Sequence, residues 1–116
     1  MLSKTEMQAW FRSVWNDIPG TSTSKHPAPY PVELASRLIR MFSFAGDTVL
    51  DPFLGTGTTT IAAMQTGRSS IGVELDPVYA RHAIERARKE VLQPRGVGAT
   101  DVSLFVEMPD ARGGAR

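Results

Sequence analysis

Two acidic residues and a pair of glycines are the positions in this chain whose types and spacing could do chemistry. Asp51 opens the run Asp51-Pro52-Phe53-Leu54-Gly55-Thr56-Gly57-Thr58-Thr59, and Glu74 follows 17 residues after Gly57. Glycines without Cβ let a ligand approach bare backbone and take positive φ. A helix starting near Thr58 would turn free N–H groups towards that ligand. An acid at the tip of a second strand can accept both hydroxyls of a ribose. The chemistry implied is the holding of a nucleoside-containing cofactor.

The elements needed to position those residues follow from the flanking sequence. Thr48-Val49-Leu50 reads as a strand and Ile61 to Gln65 as part of a helix. Ser69-Ser70-Ile71-Gly72-Val73-Glu74 reads as the next strand, completing a βαβ unit. Pro31 suits a first helical position, and Leu34, Ala35, Leu38, Ile39 and Phe42 form one apolar stripe to about Met41. Asp76 is a helix N-cap with Pro77 next, and that helix runs to about Val91, burying Tyr79, Ala80, Ala83, Ile84 and Ala87. Asp101 to Glu107 reads as a third parallel strand. Lys4 to Arg12 suits a short amphipathic helix, and Ser13 to Ile18 is read as an extended strand.

The loop narrows the cofactor. A dinucleotide fingerprint needs a third glycine where this chain has Thr60, and a phosphate loop needs a lysine that follows neither glycine here. An adenosyl ligand without a pyrophosphate, carrying a cationic or zwitterionic arm, remains, with Asp51 placed to meet the positive end.

The Asp51–Thr59 run resembles the S-adenosylmethionine motif of the DNA amino-methyltransferases that modify adenine N6 or cytosine N4. Lys25-His26-Pro27-Ala28-Pro29-Tyr30-Pro31-Val32-Glu33-Leu34 resembles the segment just before it in the circularly ordered β-type members. Ile71-Gly72-Val73-Glu74-Leu75-Asp76-Pro77-Val78-Tyr79 resembles their second cofactor motif. The resemblance runs from about Ser13 to Glu90. It implies S-adenosyl-L-methionine as cofactor, held by Asp51, Phe53, Gly55, Gly57, Thr58, Glu74 and Leu75. Leu75 would pack against adenine, and His26, Pro27 and Tyr30 would line the methionine end.

The family also uses an Asp/Asn/Ser-Pro-Pro-Tyr/Phe motif to hold a flipped base and orient its amino group. None of the eight prolines here adjoins another, and Pro29-Tyr30-Pro31 lacks the polar acceptor. No catalytic residue is therefore assigned. The chain resembles the C-terminal, cofactor-binding half of such an enzyme, its DNA contacts and catalytic motif residing in a missing or companion chain. The implied setting is restriction–modification. A non-catalytic cofactor-binding module, or an inert truncated remnant, is the alternative. A nicotinamide-binding oxidoreductase fragment is disfavoured by Thr60.

Composition sets the remaining bounds. The chain has 116 residues, 13 Lys and Arg against 12 Asp and Glu, and no cysteine. That size allows one modest core, and the balance of charge gives no basic face of the kind DNA binding alone would need. Disulfides and thiolate zinc sites are excluded, and no metal is expected of His26 and His82, the latter read as an exposed helix residue. No apolar run has membrane-span length and no signal-peptide pattern opens the chain, so a cytoplasmic location is expected. Trp10 and Trp15 are read as buried anchors rather than base-stacking platforms. The expected architecture is α/β, a partial Rossmann-like methyltransferase fold of about three parallel strands with helices on both faces. Residues 1–24 form an N-terminal segment and linker, 25–109 the cofactor-binding half-domain, and 110–116 a flexible tail.

Overall fold

The computed structural model describes residues 1–20 and 30–93. Its order is α1 (Lys4–Trp10), α2 (Val32–Phe42), β1 (Thr48–Asp51), α3 (Thr58–Gln65), β2 (Ser69–Gly72) and α4 (Pro77–Val91). His26, Pro27 and the segment 101–107 read as a third strand lie outside the described residues.

β1 and β2 pair in parallel, with Thr48 opposite Ser69, Leu50 opposite Ile71 and Asp51 opposite Gly72. Parallel neighbours need a crossover, and α3 supplies it. Side chains alternate across the sheet. Val49 turns into the core, while Leu50 and Ile71 face the other way and are 64% and 57% exposed. Among the described residues the helices lie on the Val49 face alone, so the expected cover on both faces is seen on one.

α3 is the central helix. Its Thr58, Thr60, Ile61, Ala62 and Ala63 are buried, as expected of a helix packed between a sheet and other helices. The small side chains of Ala62 and Ala63 let it approach Ala35 and Ile39 of α2, and Tyr30, Val32 and Val49 close that core. The α2 stripe divides: Ala35 and Ile39 are buried, whereas Leu38 and Phe42 are exposed. Pro31 sits at the N-cap with extended backbone rather than at the first helical position; proline's φ suits both places, and its ψ here is that of a strand. Buried Arg68 fastens the end of α2 to the α3–β2 turn, donating to the Ser43 carbonyl and hydroxyl and to the Thr66 carbonyl.

The N-terminal segment is held by charge and rings. Ser3 and Glu6 form a capping box at α1, and no residue of α1 is buried. Arg37 lies between Trp10 and Trp15, 5.3 and 5.4 Å from the ring centroids, and grips Asp17 through both carboxylate oxygens at 2.9 and 2.7 Å. Arg40 binds both oxygens of Glu6 and stacks on Trp10. The tryptophans are anchors, half-buried over guanidinium groups rather than fully enclosed. Ser13 to Ile18 is not a strand: Trp15 folds back so that its indole N–H donates to the Trp10 carbonyl at 2.7 Å.

α4 begins as the sequence predicts, with the Asp76 carboxylate accepting from the Val78 and Tyr79 N–H groups and Pro77 next. Ala83 and Ala87 are its buried residues, while Tyr79, Ala80 and Ile84 are half-buried. His82 is half-buried rather than exposed.

Candidate functional site: the carboxyl ends of the two strands

Both parallel strands run out at one edge of the sheet, and the glycine-rich loop crosses there. β2 ends at Gly72, two residues before Glu74, but the ladder continues through Val73. The Val73 N–H donates to the Asp51 carbonyl and the Leu54 N–H to the Val73 carbonyl, each at 2.9 Å. Asp51 and Glu74 therefore flank one loop.

Asp51 is half-buried at the tip of β1. One carboxylate oxygen accepts the Phe53 N–H at 3.0 Å, and the other accepts the Tyr30 hydroxyl at 3.3 Å. The Tyr30 hydroxyl also bonds the Thr59 hydroxyl. Burial, then the neighbouring Asp51 charge, push the Tyr30 phenol up from its ordinary value, so it remains a proton donor. No cation pairs with Asp51 among the described residues, where the ion pairs are those of Arg37 and Arg40. A half-buried carboxylate bonded to neutral donors has unused acceptor capacity and attracts an ammonium group.

Glu74 is also without a cationic partner there. Its oxygens accept the Gly55 N–H at 2.8 Å and the Asp76 N–H at 3.0 Å. Each retains a lone pair that a hydroxyl can use. Phe53 and Leu75, 86% and 84% exposed, are large apolar side chains in the loops leaving β1 and β2.

More of the loop's backbone donors are used by the protein itself than the sequence suggests. The N–H groups of Phe53, Leu54, Gly55 and Gly57 are engaged internally, the last on the Leu54 carbonyl at 3.0 Å. Donors without a hydrogen bond among the described residues are in the first turn of α3. Thr58, Thr59 and Thr60 precede its first bond, from the Ile61 N–H to the Gly57 carbonyl, and Gly57 offers no side-chain cap.

Gly57 has φ of 87°, and a Cβ there would lie 2.9 Å from the Ala83 Cβ. A glycine is thus required at this position for α4 to pack against the loop. Thr58 is buried, and its hydroxyl accepts from Arg86 at 3.2 Å. Its side chain is thus turned to α4, leaving its backbone N–H as its contribution to a ligand. Sequence reading passed over Arg86, which appears there as one more charged residue on an exposed helix; its only signal is position, one helical turn beyond Ala83.

Two carboxylates and a first helical turn, unpartnered by charge or cap among the described residues, together with an apolar rim, fit a ligand with an ammonium, a carboxylate, a ribose and an adenine.

Comparison with known proteins agrees with this geometry. The sequence profile of the DNA methylase family, the N6/N4 methylases, matches residues 2–85. The type II methyltransferase M.MthZI of Methanothermobacter thermautotrophicus is 56% identical over 95 residues, 76% of this chain and 26% of that protein. M.MjaI of Methanocaldococcus jannaschii is 49% identical over 78 residues, 64% of this chain and 26% of its own length. The chain thus spans about a quarter of these curated relatives. The Thermus thermophilus protein TTHA0409, described as a DNA modification methylase and solved with S-adenosyl-L-methionine, is 56% identical. It superposes with a TM-score of 0.69 over 78% of this chain and 35% of its own. The match covers both strands, the glycine-rich loop and most of α4, and on it this chain belongs to the DNA methylase family of N6 and N4 methylases.

Proposed function

We propose that this chain is the S-adenosyl-L-methionine-binding portion of a DNA methyltransferase that modifies the exocyclic amino group of adenine (N6) or cytosine (N4). One observation carries the reading: two carboxylates without cationic partners among the described residues, Asp51 and Glu74, border the same loop at the N-terminus of α3. Asp51, steadied by the protonated Tyr30, takes the ammonium of the cofactor's amino-acid arm. The uncapped first turn of α3 favours its carboxylate. Glu74 accepts the ribose hydroxyls, and Phe53 and Leu75 cover the adenine. When bound, the cofactor supplies an electrophilic methyl group on a sulfonium.

The base-holding Pro-Pro-aromatic motif is not in these 116 residues, so transfer requires a further segment, on the same polypeptide or on a companion, that carries it and contacts DNA. Two features support the docking of such a segment. β1 is paired on one side only among the described residues. An apolar groove of about 600 Å³ lies between α2 and β1, lined by Tyr30, Leu34, Leu38, Phe42 and Val49.

Calorimetric titration of S-adenosyl-L-methionine into the purified chain tests the cofactor assignment. Saturable one-site binding that weakens in Asp51→Asn and Glu74→Ala is the expected result. A folded sample that takes up no cofactor would sink it.

A further inference from the structure

The glycine-rich loop is held in shape from outside itself, and the residue that does most of the holding lies on α4. One guanidinium nitrogen of Arg86, Nη1, lies 2.9 Å from the Thr56 carbonyl, 3.3 Å from the Thr56 hydroxyl and 3.2 Å from the Thr58 hydroxyl. These partners are 28 to 30 residues away in sequence. A charged donor directed at three neutral oxygens of a single loop serves backbone geometry rather than an ion pair.

The peptide joining Thr56 to Gly57 is fixed at both ends. Its carbonyl is drawn to Arg86, and its N–H donates to the Leu54 carbonyl. Gly57 is wedged against Ala83, one turn before Arg86 on the same helix. Gly55 is held by Glu74 at the start of the same β2–α4 connection. Of these contacts, Arg86 alone keeps an acceptor carbonyl and two hydroxyls turned towards α4. Without it the Thr56 carbonyl is free to rotate towards the place where a ligand carboxylate would meet α3's N–H groups, and buried Thr58 loses its donor. The positive guanidinium behind the loop also adds to the favourable potential at that helix terminus.

We propose that Arg86 is a positioning residue for the cofactor loop, acting on ligand affinity through Thr56 and Thr58 without touching the ligand. The inference rests on the cofactor reading above, and its test separates the two. Hydrogen exchange of the Gly55 and Gly57 amides is measured without cofactor in wild type, Arg86→Lys and Arg86→Met. S-adenosyl-L-methionine affinity is measured calorimetrically on the same proteins. In Arg86→Met the two loop amides should exchange roughly tenfold faster or more, with affinity falling by a similar factor. The Ile39 amide in the core should be unchanged. Arg86→Lys, which keeps charge and one donor, should fall between, and it carries the test if the methionine variant does not fold. In a further variant, Arg86→Ala, added ethylguanidinium should restore part of the affinity, which a general loss of stability would not allow. Unchanged loop exchange and affinity would overturn the proposal, as would equal acceleration at Ile39. If wild type itself takes up no cofactor, the cofactor reading fails, and the exchange rates alone decide the role of Arg86.

Discussion

Both carboxylate oxygens of Glu74 accept backbone N–H groups before any ligand arrives, one from Gly55 and one from Asp76. The residue therefore fastens the loop to the start of α4, besides the ribose-binding role proposed for its remaining lone pairs. Glu74→Ala should weaken S-adenosyl-L-methionine binding about 10–100-fold, the range for losing bonds to a charged acceptor. It should also cost about 1–2 kcal/mol of stability by orphaning the Gly55 N–H. Calorimetry reads the first and denaturant melts the second; unchanged stability would remove the fastening role. Gly57 illustrates a different constraint. Gly57→Ala forces a Cβ into Ala83 on a backbone with φ of 87°, and should destabilise by about 1–3 kcal/mol. Pairing it with Ala83→Gly should not restore wild-type stability, because the residue-83 Cα would still lie 3.1 Å from the new Cβ and a glycine inside α4 costs about 1 kcal/mol.

Among the elements, the N-terminal clasp has a pH signature. The Ser3 N–H, and after it the Arg40 guanidinium, hold the Glu6 carboxyl down from 4.5 to about 2. Asp17 is lowered chiefly by its bonds to Arg37. A carboxylate depressed in the folded state stabilises above its unfolded pKa and loses that contribution as pH falls through the folded one. The thermal midpoint should therefore fall between about pH 4.5 and pH 2, and Glu6→Gln should flatten that fall. A variant with an unaltered slope would exclude Glu6 as the source. This clasp also marks where sequence reading stops. β1, α3, β2 and α4 were legible because each has a local signal: β-branched runs, glycine punctuation, the Asp76–Pro77 start. Ser13 to Ile18 misled because an apolar pattern without a neighbouring strand has nothing to pair with. The cation–ring stack that replaces it joins Arg37 to Trp10 and Trp15 across a turn, and no periodicity records such a contact. Arg86 was hidden for the same reason, since its partners lie 28 to 30 residues away.

At the scale of the molecule, the described sheet has one bare face and a strand paired on one side only. Leu50 and Ile71 sit opposite one another on that face, and exposed apolar strands with open edges invite association. Purified alone, the chain should self-associate as concentration rises. Leu50→Lys should suppress this without altering cofactor affinity, because the side chain faces away from α3. Sedimentation velocity of the two proteins decides the matter, and equal association in both would move the sticky surface elsewhere. The cofactor site is legible at this scale as an order of motifs. The direction of each motif side chain is not legible there, since the Thr58 hydroxyl is turned to Arg86 of α4.

That dependence of the loop on α4 has a consequence in time. Thr56 leaves the ribosome 30 residues ahead of Arg86. At about 5–20 residues per second, that is a delay of roughly 2–6 s. Glu74, Ala83 and Arg86 all emerge after the loop they shape. A nascent chain thus carries its motif before it carries the means to hold it, and on the proposed role of the loop, cofactor capture during synthesis would wait for the third turn of α4, which bears Arg86.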